Sequence, residues 1–212
     1  IARWVWDRNS ILYRNEAHAP GCYREKVEHL TGTPDIDNCP VLEMTDARIF
    51  HAESVVHFME QRCTPQNRLL PDDTLQRNEV LDWSNLFTGE LFETQVNRYM
   101  YGRLLSSRSF AAAVFSQQAP FAERLKSKFG FMLVKNAVMR EHGLSSHRPE
   151  DSLKEIKKIF EQVESKLADG RKYLVGDRFT LADLSFAATA APMILPEEFG
   201  GALPNISQVP DD

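Results

Sequence analysis

Apolar positions follow two different rhythms along the chain, and the change falls near residue 73. The clearest helical period lies in 151–168, where Leu153, Ile156, Phe160, Val163 and Leu167 recur three or four apart ahead of a stop at Gly170. Residues 74–102 carry Leu75, Leu81, Leu86, Leu91, Phe92, Val96, Tyr99 and Met100, an apolar stripe that predicts a first long helix. A second long helix is predicted over 120–141, ending at Gly143, and a further, very apolar one over 184–191. The second half of the chain therefore reads as all helical.

Before residue 64 the segments are short and mixed. The pattern predicts a helix over 1–8, a strand over 11–16 and a helix over 23–30. Strands at 41–44 and 48–51, joined by Thr45-Asp46-Ala47, read as a hairpin, and Val55, Val56, Phe58 and Met59 suit a helix over 53–62 that covers it. Between the halves, Thr64-Pro65, Leu70-Pro71 and two aspartates make 63–73 rich in turn formers, as in a linker. The organisation expected is 1–63, a connection at 64–73, and 74–212, without internal repeats.

Composition narrows the function classes. A length of 212 residues with 42% apolar and 26% charged residues suits a folded globular chain of one large or two small domains. The longest apolar stretch, 186–196, is too short for a bilayer and contains Pro192, and the N-terminus does not resemble a signal peptide, so a cytoplasmic protein without a membrane partner is expected. A net charge of −5 with scattered basic residues argues against nucleic acid. Cys22, Cys39 and Cys63 lack the paired spacing of a disulfide framework or zinc site, and the six histidines form no HExxH pair, so no metal is expected.

Two motifs point to chemistry. In the first half, Cys39-Pro40-Val41-Leu42-Glu43 precedes Glu53-Ser54 at the start of the predicted third helix. Acidic and hydroxyl residues are favoured at any helix N-terminus, so the pair alone reads as a plain helix start; with the preceding proline, two strands and turn in order, the same N-terminus reads as a site that binds a carboxylate through free N–H groups and the dipole. In the second half, Gly176-Asp177-Arg178-Phe179-Thr180-Leu181-Ala182-Asp183 has capping-box form at Thr180 and Asp183, which gives those two a folding role.

Together these segments resemble the soluble glutathione transferases, with their V-P-V-L, hairpin and E-S arrangement and their G-D-x-F-T-x-A-D signature. Ala2-Arg3-Trp4, Ile11-Leu12-Tyr13 and Arg68-Leu69-Leu70-Pro71 match the family's first helix, second strand and interdomain linker. Ala191-Pro192 with Leu195-Pro196-Glu197 is similar to bacterial members with glutaredoxin-like N-terminal domains. The resemblance implies an α/β thioredoxin-like N-terminal domain followed by an all-α helical bundle.

It also implies a cis Pro40, backbone hydrogen bonds from Cys39 to the cysteinyl part of glutathione, and binding of the γ-glutamyl carboxylate at the helix start of Glu53-Ser54, through its backbone N–H groups and the Ser54 hydroxyl. The Cys39 side chain reads first as a small apolar substitute for valine, with a thiol placed for mixed-disulfide exchange as the alternative. Glutathione is the implied co-substrate, a small hydrophobic or disulfide compound the second substrate, and a homodimer the implied assembly. Trp83, Phe87, Phe92 and Tyr99 are candidates for an apolar substrate pocket between the halves, with core packing as the alternative.

The chain departs from the family in two places. The family's first strand, and the loop with the Tyr, Ser or Cys that acts on the glutathione sulfur, have no counterpart, so the catalytic residue is expected upstream of Ile1. Asn38 stands where many members have lysine or glutamine. Conjugation or thiol transfer, a non-catalytic binding or assembly module, and a purely structural helical protein are the functions to separate.

Overall fold

A computed structural model describes residues 1–20, 22–33, 39–116 and 119–196, apart from the side chains at 116 and 126–128. Asn38 and Glu197 lie outside the described residues. The mixed first part begins with α1, Ala2–Arg8, which buries Val5 and is closed by Asn9, whose side-chain amide donates to the Val5 carbonyl at 2.8 Å. Helix α2, Arg24–Thr31, ends at Gly32 with φ +79°, a left-handed C-terminal position that favours glycine.

Strands β1, Val41–Glu43, and β2, Arg48–Phe50, pair antiparallel with Leu42 opposite Ile49. The turn is closed by the Met44 N–H donating to the Ala47 carbonyl at 2.9 Å, and Arg48 reaches across to Glu43 at 3.0 Å. Helix α3, Ala52–Glu60, buries Val55, Val56 and Met59, positions three and four apart, and packs on β2 and α1.

The expected strand at 11–16 is not formed. A strand exists only as part of a ladder, and β1 and β2 make the one sheet among the described residues, so 11–16 runs as irregular chain with Leu12 fully exposed.

The remainder is helical: α4, Thr74–Thr88; α5, Glu93–Leu104; α6, Arg108–Ser116; α7, Phe121–Phe129; α8, Phe131–Glu141; α9, Pro149–Leu167; and α10, Leu181–Ile194. Both predicted long helices are broken. The first stops at Gly89, which is extended, and a Cβ there would lie 2.8 Å from the Asn85 carbonyl oxygen. The second stops at Gly130. Apolar spacing ran through both glycines, but glycine costs a helix interior about 1 kcal/mol and packing decided the rest. Helix α6 was not anticipated. Helix α9 starts with Pro149 at its first position, which suits a residue without an N–H.

One core joins the two parts. Val5, Val56 and Met59 belong to the same cluster as Val80, Val96, Ile156 and Leu184. At its centre Phe92 stacks on Phe186 at 5.8 Å, and Phe87 meets Phe186 at 5.1 Å. A second cluster gathers Leu104, Val114, Phe115, Phe131 and Val138.

The connection at 64–73 has turn chemistry, including a 3-10 turn at Pro65–Asn67, yet Leu69 and Leu70 are buried in the main core. Glu60 accepts their N–H groups at 2.7 and 3.2 Å, the Leu181 N–H donates to the Leu69 carbonyl at 2.9 Å, and Arg178 donates to the Leu70 carbonyl at 3.0 Å. Buried backbone groups must be paired, and here Glu60 from the first part and Arg178 and the Leu181 N–H from the second do the pairing.

Candidate functional site

A cavity of about 740 Å³ opens between α1, the irregular chain at 12–18, α2 and β1. Trp6 and Val27 give it apolar walls, with Tyr13 edge-on to Trp6 at 6.4 Å. Cys39, Pro40 and Val41 line it where β1 begins, and the Cys39–Pro40 peptide is cis.

Strand geometry decides what β1 shows the cavity. The Met44 to Ala47 bond makes that pair hydrogen-bonded, so Leu42 opposite Ile49 is the next hydrogen-bonded pair. Val41 and Glu43 then turn their N–H and C=O groups away from β2, towards the edge that faces the cavity. Among the described residues no strand pairs with that edge.

Charges of both signs rim the cavity: Arg3, Arg14 and Lys26 line it with Glu16 and Glu43, and His18 sits among them. Glu16 lies 3.4 Å from Lys26 and 3.5 Å from His18, and Glu43 is paired with Arg48. Burial, followed by the negative charge of Glu141, pushes the Cys39 thiol above its ordinary pKa. Tyr23 is raised more strongly, by burial first and then by Glu141, whose carboxylate accepts its hydroxyl at 3.2 Å. Cys39 is therefore a neutral thiol at physiological pH rather than an activated nucleophile.

Glu53 and Ser54 are exposed in the first turn of α3; Val55, the next residue, lines the cavity. No side chain caps α3: His51 precedes it with φ +65° and makes no side-chain cap bond. The first-turn N–H groups are left without an internal carbonyl partner, as at any helix start.

The four aromatics expected around an apolar pocket do not line this cavity. Phe87 and Phe92 are fully buried, and Trp83, stacked on Phe87 at 5.4 Å, and Tyr99 pack against the same core. Core packing is their place, because an aromatic stripe facing two helices is enclosed by them.

Thr180 and Asp183 form a capping box at the start of α10. The Asp183 carboxylate accepts the Thr180 N–H at 2.8 Å and its hydroxyl at 2.9 Å.

Sequence reading gave His18 no role and did not single out Tyr23, Glu123 or Glu141. His18 meets Glu123 105 residues away, and Tyr23 meets Glu141 118 residues away. No local pattern signals such pairs.

Residues 129–209 match the family model for the glutathione S-transferase C-terminal domain, and this match supports a member of the glutathione S-transferase family. Comparison with curated proteins and with solved structures gave no match. No group of residues suited to holding a metal occurs among the described residues, and none of their helices is long and apolar enough to cross a membrane.

Proposed function

We propose that the chain is a glutathione-dependent transferase that binds glutathione in the cavity beside β1 and presents its sulfur to a small electrophile or a disulfide. The observation that carries this reading is the cavity itself, lined by Cys39, Pro40 and Val41 with Arg3, Arg14 and Lys26 at its rim, in a chain whose residues 129–209 match the transferase C-terminal domain.

Glutathione at neutral pH carries two carboxylates, one ammonium group and a thiol. An extended tripeptide with carboxylates and an ammonium group suits a rim that carries Arg3, Arg14 and Lys26 beside Glu16 and Glu43, and the free edge of β1, where Val41 and Glu43 offer backbone groups for strand-like pairing. The uncapped start of α3, with Glu53 and Ser54, supplies N–H groups and a hydroxyl for the γ-glutamyl end. In this reading 1–63 is the glutathione-binding domain, 64–73 the connection and 74–212 the helical domain of a cytoplasmic homodimer.

In conjugation, the glutathione thiol loses its proton to solvent or base, its sulfur bonds to the electrophilic carbon, and the leaving group departs with the displaced electron pair. In thiol transfer the thiolate attacks a disulfide sulfur and releases the second sulfur as thiolate. The chain's contribution is to bind the tripeptide and favour its thiolate by nearby positive charge.

A binding module without turnover is the second reading; the raised thiol means that Cys39 supplies no reactive thiolate of its own, and glutathione's sulfur is the one that would react. Calorimetry with glutathione, followed by turnover assays with an aromatic halide and with a glutathione mixed disulfide, tests both. Saturable binding with either turnover supports the transferase. Binding without turnover establishes the module, and absence of binding removes both readings.

A further inference from the structure

The chain between α1 and α2 forms one wall of the cavity through Leu12, Tyr13, Arg14, Glu16 and His18, yet it belongs to no helix or ladder. Something outside it must hold that wall. The helical part supplies the contact: Glu123, on α7, places Oε1 2.8 Å from His18 Nδ1 and Oε2 2.9 Å from the backbone nitrogen of Ala19. Because a carboxylate only accepts, His18 carries its proton on Nδ1 and both bonds run from the wall to Glu123.

Both partners are shielded, with 16% of each side chain exposed, and Ala19 is fully buried. Charge-assisted bonds in such surroundings are stronger than neutral ones. The hold extends in both directions. His18 Nε2 approaches Glu16, which approaches Lys26 on α2, and the Ala19 carbonyl accepts the Cys22 N–H at 2.9 Å just before α2 begins.

We propose that Glu123 is a positioning residue: from the helical part it fixes the 12–19 wall and so sets the affinity of the cavity for its ligand. This rests on the reading that the cavity takes glutathione. The competing account is that the same bonds tether α7, whose Phe121 and Phe129 are 80% and 81% exposed and give that helix little apolar anchorage.

Hydrogen exchange on the ligand-free protein separates the two, and calorimetry with glutathione adds the functional arm. Glu123→Ala is expected to speed exchange in 12–19 about tenfold or more, the effect of losing a charged hydrogen bond, and to weaken glutathione binding about tenfold. Glu123→Gln, which retains one acceptor, is expected to recover part of both effects. Unchanged exchange in 12–19, or faster exchange confined to 121–131, overturns the proposal.

Faster exchange in 12–19 with unchanged glutathione affinity also overturns it, since the wall then does not govern binding. If the unaltered protein binds no glutathione, the functional reading fails, while exchange still decides whether Glu123 holds the wall. Should Glu123→Ala not fold, His18→Ala removes one of the two bonds and is expected to give the same pattern at smaller size.

Discussion

Asp183 accepts the backbone N–H of Leu174 at 2.8 Å, nine residues before it, and so ties the turn ahead of α10 to the helix it caps. Its other oxygen serves the N–H and hydroxyl of Thr180. Three donors converge on one half-buried carboxylate, and Leu174, Val175 and Thr180 around it are buried.

Asp183→Ala strands those donors and is expected to destabilise the fold by about 2–4 kcal/mol, above an ordinary lost helix cap. Asp183→Asn, which keeps an acceptor, should lose about half as much. Urea denaturation measures both, and equal stability of Asp183→Ala and the unaltered protein would remove the carboxylate from the structural account.

Local signals carried most of the secondary structure. The hairpin, α3, α9 and the start of α10 were legible because each is written within a dozen residues: turn formers between β1 and β2, three-and-four spacing in α9, and a Thr-to-Asp cap. Gly89 and Gly130 interrupt helices whose apolar spacing continues across them, so the breaks are not legible from periodicity. Residues 11–16 have the composition of a strand, but a ladder depends on a neighbour that local sequence does not specify. In the candidate site, Cys39 and Pro40 were legible as a motif. The carboxylates Glu123 and Glu141 were not, because only the packing of α7 and α8 brings them to His18 and Tyr23.

Phe87 separates core from pocket. It is fully buried among Trp83, Phe92 and Phe186, with ring centroids 5.1–5.9 Å away. Phe87→Leu is expected to cost about 1–3 kcal/mol through lost volume and ring contacts while leaving glutathione affinity within about twofold. Thermal unfolding and calorimetry on the same variant provide the check. A stable variant with altered ligand affinity would return Phe87 to a binding role.

Ser54 tests the uncapped start of α3. Its hydroxyl is exposed in the first turn and free of packing duties, so Ser54→Ala should leave the melting temperature within a degree or two. If the γ-glutamyl carboxylate docks there, the lost charged hydrogen bond weakens glutathione by about 1.5–3 kcal/mol, a tenfold or larger rise in Kd. Calorimetry decides, and an unchanged Kd would take Ser54 out of the site.

Tyr23 gives the pH test. Burial first, and the Glu141 carboxylate second, raise its phenol above the ordinary value of 10.0 in the folded protein, so folding favours the protonated form. The unfolded chain loses that proton near pH 10 and the folded chain at higher pH. Between the two, the unfolded state binds fewer protons and stability falls as pH rises. The Tyr23 contribution is therefore complete below about pH 10 and declines above it. Tyr23→Phe removes the titrating group and the bond to Glu141. It should be less stable than the unaltered protein at pH 8 and lose less stability between pH 9 and 11. Urea unfolding over that range measures the slope for each protein, and parallel curves would mean that Glu141 and burial do not hold the Tyr23 proton.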